Sequence, residues 1–160
     1  MKRWIPLNVF AVAVLACGCA GTPREGADVP VPIEGTIWRL VSVEGSSAAP
    51  PMGDRAGEFR LDAGAGRFSA MVGVNRMAGS YRRVGDGRRG TIRFPDRIVS
   101  TMMAGPPELM EQDRAFIAAL TSVDSYALVG GELTLSGGNA PRLVFRSPDE
   151  RRVTHPRVRS

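Results

Sequence analysis

Two adjacent glycines, Gly130 and Gly131, separate the runs Ser125 to Val129 and Glu132 to Ser136, and this two-residue spacing is that of a tight antiparallel hairpin. The turn needs a left-handed φ, which glycine adopts without steric cost. The pattern recurs. Glu58 to Asp62 and Arg67 to Val72 flank Gly64-Ala65-Gly66, and Ser80 to Val84 and Thr91 to Phe94 flank the loop Gly85 to Gly90. Arg142 to Arg146 returns after Gly137-Gly138-Asn139-Ala140-Pro141. Thr36 to Glu44 supplies a first strand, and the two prolines and three glycines of Gly45 to Gly57 predict a loop. One helix interrupts the strands: Pro106-Pro107 suits its start, Glu108 and Glu111 place negative charge near it, and Leu109, Phe116, Ile117, Leu120 and Val123 form a stripe that packs on the sheet. The expected fold is mainly β (α+β), a curled antiparallel sheet or partly closed barrel of about seven or eight strands with one helix packed on it.

The body has little reactive chemistry to offer. Both cysteines, Cys17 and Cys19, lie near the start, and the one histidine, His155, lies near the end. This excludes Ser-His-Asp and Cys-His catalysis and histidine- or cysteine-rich metal sites, so no catalytic residue, metal or cofactor is expected. The acidic pairs Glu58 with Asp62 and Glu108 with Glu111 have the residue type for glycosidase chemistry, but no context that raises a carboxyl pKa.

Lys2 and Arg3 precede the uncharged run Trp4 to Ala16, a signal-peptide pattern too short to span a bilayer. Val14-Leu15-Ala16-Cys17 resembles a bacterial lipobox, whose cysteine is acylated before cleavage; Ala16-Cys17-Gly18 before Cys19 is the alternative register. An ordinary secretory signal, cut nearby, is the competing reading. The expected organisation is a signal peptide over 1–16, a flexible tether over 17–32, a folded domain over 33–147 and a disordered basic tail over 148–160. In the lipoproteins that it resembles, glycine rather than aspartate at position 18 favours an outer-membrane anchor facing the periplasm.

Gly35 to Leu40, Gly73-Val74-Asn75-Arg76-Met77-Ala78-Gly79-Ser80-Tyr81, Ser100 to Ala104, the helix, Tyr126 and Leu133-Thr134-Leu135 together resemble the META, or HslJ-like, domain in order and spacing. The resemblance implies a small β-rich fold with one helix, found in bacterial envelope lipoproteins. It also implies a non-catalytic binding or scaffolding role in envelope or heat stress and drug tolerance. The alternative is a module that inhibits an envelope hydrolase through the loop Gly45 to Gly57, and a cryptic wall hydrolase is a third. The family carries cysteines where this chain has Val74 and Gly105, and their joint absence predicts that these two positions are neighbours.

Gly73, Asn75, Thr101 and Met103 are the candidate binding or structural motif. Asn75 is weighted towards holding a turn over binding a ligand, and the methionines beside Thr101 predict inward packing. Arg82, Arg83, Arg88 and Arg89 belong to a segment, Arg76 to Arg97, that nets +5 and forms a possible anionic-partner patch or a solvated surface. The expected partners are the membrane, through the lipid anchor, and an envelope protein. Too few aromatics interleave with these arginines for nucleic-acid binding.

Overall fold

The computed structural model describes residues 31–50, 57–95 and 97–148. Cys17, Cys19, nearly all of the expected tether and tail, and positions 51–56 of the expected inhibitory loop lie outside the described residues. The chain forms β1 (Ile37–Val43), β2 (Ser46–Ser47), β3 (Glu58–Asp62), β4 (Arg67–Met71), β5 (Met77–Ser80), β6 (Arg82–Gly85), β7 (Arg89–Arg93) and β8 (Val99–Ser100). Helix α1 (Pro107–Thr121) follows, then β9 (Ser125–Val129), β10 (Glu132–Gly137) and β11 (Ala140–Arg146).

All strand pairs are antiparallel, in the order β6-β7-β9-β10-β11-β1-β3-β4-β5-β8, with β2 beside β1. Thus the first and last long strands are neighbours, and the sheet is assembled from meanders whose order no local spacing reveals. Among the described residues it is not closed into a barrel. Only Tyr81 separates β5 from β6, so the chain passes directly from one end of the ladder to the other, and the Tyr81 N–H meets the Gly66 carbonyl at the corner. The described residues hold eleven strands where seven or eight are expected. The extra ones, β2, β5 and β8, span two to four residues and lack the alternation that marks a strand in sequence.

Alternation sets the core. Phe59 and Leu61, Phe68 and Ala70, Leu133 and Leu135, and Leu143 and Phe145 point to one face, where they meet Trp38 and the stripe of α1. Phe59 stacks on Phe145 at 4.8 Å between centroids and meets Phe116 of the helix edge-on at 6.2 Å. Each such buried ring contributes about 1.5–3 kcal/mol. Leu109, Phe116, Leu120 and Val123 are buried as the stripe predicts, and Ile117 is partly so. The same face of the helix also buries two polar residues, Gln112 and Asp113.

Candidate functional site

Between β4 and β5 the chain runs against the helix at Gly73, which has no room for a side chain: a Cβ there would lie 2.3 Å from the Leu109 carbonyl oxygen and 2.6 Å from Asp113 Oδ1. Glycine brings the backbone close enough for two consecutive amides, Val74 N–H and Asn75 N–H, to donate to Asp113 Oδ2 at 3.0 and 2.9 Å. The Asn75 side chain adds a third donor to that oxygen, Nδ2 at 3.0 Å. Asp113 Oδ1 has no hydrogen-bond partner and lies against Gly73.

Asn75 carries the connection to the other side. Its Oδ1 accepts the Met103 N–H at 2.8 Å and the Thr101 hydroxyl at 3.0 Å, while Nδ2 also faces the Met103 carbonyl at 3.5 Å. Thr101 Oγ1 in turn accepts the Arg76 N–H, and the Thr101 N–H donates to the Arg76 carbonyl, each at 3.0 Å. A primary amide offers two acceptor and two donor positions. All four are used within the protein, so the Asn75 amide is committed to holding the backbone around it. Gln112 works alongside: its Nε2 donates to the Val72 carbonyl and its Oε1 accepts the Ala49 N–H at 2.6 Å, fixing the start of the 45–57 loop to the helix.

This network, a clasp in which Asp113 and Asn75 join the 73–76 and 101–103 segments to α1, brings Gly73, Asn75, Thr101 and Met103 together, but the methionines do not pack inward as expected. Met102 is 99% exposed and Met103 59%, with Val99 nearby at 67%. Hydrogen bonds from the Asn75 side chain and the Arg76 backbone hold Thr101 and the Met103 amide, while the side chains of Met102 and Met103 stay outside. Met102 and Met103 face Met110 and Ile117 of α1 across an open groove of about 310 Å³, beside Arg114. Glu111 takes the charge of Arg114 in an ion pair. A second depression, about 230 Å³, lies on the outer side of the sheet between Ile37, Arg60, Met71 and Arg76.

The arginine patch separates into different environments. Arg83 is half-buried, its Nε 3.1 Å from Glu34 Oε1, its Nη1 2.9 Å from the Tyr126 hydroxyl and its guanidinium 5.6 Å from the Tyr126 ring centre. Burial opposes its charge, but the hydrogen bonds to Tyr126 and Glu34 prevail and raise its pKa. Burial and the Glu34 carboxylate likewise hold the Tyr81 phenol well above its ordinary pKa. Arg82, Arg88 and Arg89 are exposed, and Arg82 stands directly opposite Arg93 in the β6–β7 ladder. At the hairpin tip Asp86 Oδ1 accepts the N–H groups of Arg88 and Arg89 at 2.8 and 2.9 Å, which lowers its pKa. Of the acidic pairs, Glu58 meets Arg39 at 3.1 Å and Asp62 meets Arg60 at 3.7 Å on the outer face.

Val74 and Gly105 are neighbours, as expected: a Cβ built on Gly105 lies 3.3 Å from Val74 Cβ, near the usual Cβ separation of about 3.5–4.5 Å in a disulfide. The residues that sequence reasoning missed are Gln112 and Asp113. Each is three or four positions from both Leu109 and Phe116, on the face assigned to the core, and a polar residue inside an apolar stripe was the available signal.

A family model described as the META domain matches residues 31–150. The chain belongs to the META domain family. The clasp and the groove are thus features of a META domain. A protein from Burkholderia xenovorans, solved by NMR, shares its fold with a TM-score of 0.53 at 22% identity, over 89% of this chain and 98% of that one. No curated protein matches the sequence.

Proposed function

We propose that this META domain protein is a lipid-anchored component of the bacterial envelope and that its β-rich body is a non-catalytic module that binds or scaffolds an envelope protein. The observation that carries this reading is the exposed pair Met102 and Met103, held out of the core by a buried polar network whose central amide is saturated. Holding two large apolar side chains in water forgoes burial energy of order 1.5–3 kcal/mol each, a cost that a binding surface offsets when its partner arrives. The anchor rests on the lipobox-like sequence before Cys17, with Cys19 as the alternative, and on the stretch 17–32, which reads as a tether. The role in envelope or heat stress and drug tolerance, and the outer-membrane location, come with the resemblance and belong to this proposal.

Palmitate labelling tests the anchor: label is expected on the wild type and absent from a Cys17→Ala/Cys19→Ala variant, and unlabelled wild type contradicts it. Crosslinking and recovery from detergent-solubilised envelopes test the module. A defined protein is expected with the wild type and lost with Met102→Asp/Met103→Asp, while an Arg88→Ala/Arg89→Ala variant retains it. Retention by the aspartate variant and loss by the arginine variant would move the binding surface to the β6–β7 hairpin. Recovery of one stoichiometric hydrolase would favour the inhibitor reading.

A further inference from the structure

We propose that the groove between the 101–104 segment and α1 binds a soft monovalent metal ion, copper(I) or its analogue silver(I), through the thioether sulfurs of Met102, Met103 and Met110. Three of the seven methionines line this one groove, and Met102 and Met103 are too exposed to be serving the core. A thioether is a neutral, polarisable donor that selects soft ions such as copper(I) over magnesium, calcium or zinc. Hard alternatives are lacking: among the described residues no group of His, Cys, Asp and Glu is gathered that could hold a metal ion. The one carboxylate lining the groove, Asp113, has Oδ2 engaged by three donors and Oδ1 set against Gly73.

The clasp supplies the pre-organisation that such a site needs. Methionine has three rotatable bonds, so its sulfur adjusts easily, and what must be fixed is the backbone that carries it. The Asn75 side chain holds the Met103 amide on one wall and Asp113 on the other, and Asp113 sits three residues after Met110 on the same helix. A single buried amide therefore sets the spacing between the two walls. The one cationic side chain lining the groove, Arg114, has its charge compensated by Glu111, and what repulsion is left acts less on a monovalent ion than on a divalent one. The proposal gives the groove a ligand class and does not depend on a protein partner or on acylation.

The test uses the full chain in detergent with Cys17 and Cys19 both replaced by serine, so that no thiol competes. Copper(I) is titrated anaerobically against a chromophoric chelator, and silver(I) is followed by NMR of methyl-labelled methionine. The expected result is one saturable site, with the methyl signals of Met102, Met103 and Met110 shifting and that of buried Met77 unmoved. Single Met→Leu changes at the three positions should weaken binding by about ten- to a hundredfold, the range seen when even an outer-shell partner is lost. The triple variant should not bind. Thermal melts verify that the variants fold, and the single changes suffice if the triple one does not. Absence of saturable binding, shifts confined to other methionines, or binding that survives the Met→Leu changes overturns the proposal. Since the thiols are gone and no partner is present, failure here leaves the anchored-module reading standing, and failure of palmitate labelling leaves the metal site standing.

Discussion

The two regions singled out by the sequence, the Gly73–Arg76 motif with the 101–103 segment and the arginine-rich β6–β7 hairpin, use polar groups in opposite ways. In the first, one carboxylate oxygen and one amide, both buried, tie two stretches of backbone, 74–75 and Met103, to the helix, and two large apolar side chains, Met102 and Met103, are left outside. In the second, the polar groups are mostly solvated, the hydrogen bonds at Asp86 span two or three residues, and Arg83 alone of Arg82, Arg83, Arg88 and Arg89 is partly buried. Buried polar groups left without partners are expensive, whereas exposed ones exchange protein for water at little net change. The clasp is therefore where the fold is vulnerable, and the hairpin is where it is tolerant.

Substitutions break or sharpen that contrast. Asp113→Ala leaves three donors unpaired and should cost about 4 kcal/mol or more in denaturant unfolding, the largest effect expected, since each hydrogen bond to a charged group contributes about 1.5–3 kcal/mol. Gly73→Ala forces a methyl against the Leu109 carbonyl and Asp113 and should cost about 3 kcal/mol, with the change concentrated where α1 meets the β4–β5 connection. Arg83→Met keeps the stem of the side chain but strands the half-buried Glu34 and the Tyr126 hydroxyl; about 1 kcal/mol is expected, after allowance for solvent screening. A loss above that of Gly73→Ala would erase the contrast between the regions.

The smallest effects belong to the hairpin tip and to pH. The pKa of Asp86 is lowered by the Arg89 and Arg88 amides, and that of Asp124 by the Ser125 hydroxyl and the Gly138 amide. A carboxyl whose folded pKa lies below its unfolded value stabilises the fold above the unfolded value, near 4, and that stability is lost as pH falls through the folded one. Acid titration should thus show a shallow loss beginning below about pH 4, diminished by Asp86→Asn. Amide exchange at Arg88 and Arg89 should quicken in that variant while the core strands keep their protection. An unchanged acid limb would remove the inferred role of these contacts.

The legible parts of the molecule were those whose physics is local. Glu58–Asp62 and Ser125–Val129 coincide with the expected strands because alternation and flanking glycines fix them; Gly130 and Gly131 have φ of 53° and 76°, as their turn requires. The loop expected over Gly137–Pro141 is tighter in the fold: Gly137 pairs with Ala140 across Gly138-Asn139, and Pro141 is tolerated where the register shifts between Leu135 and Ser136. Met77–Ser80 forms a strand without one β-branched residue, since β4 and β8 pair with it on either side, and neither partner is visible in local composition. At the clasp, the small and polar letters of the motif were readable, but their shared partner Asp113 stands thirty-eight residues beyond Asn75 on another element. The exposure of Met102 was unreadable for a related reason: methionine beside methionine reads as core until the backbone contacts that turn it outward are known.

Amide hydrogen exchange at Met103, in the wild type and in Asn75→Ala, tests the clasp most directly. The Met103 N–H, bound to Asn75 Oδ1, should be protected in the wild type despite its exposed side chain, and Asn75→Ala should abolish that protection while Leu133 to Leu135 keep theirs. Rapid exchange at Met103 in the wild type, or protection unaltered by the substitution, would contradict the account that a buried amide holds this segment in place.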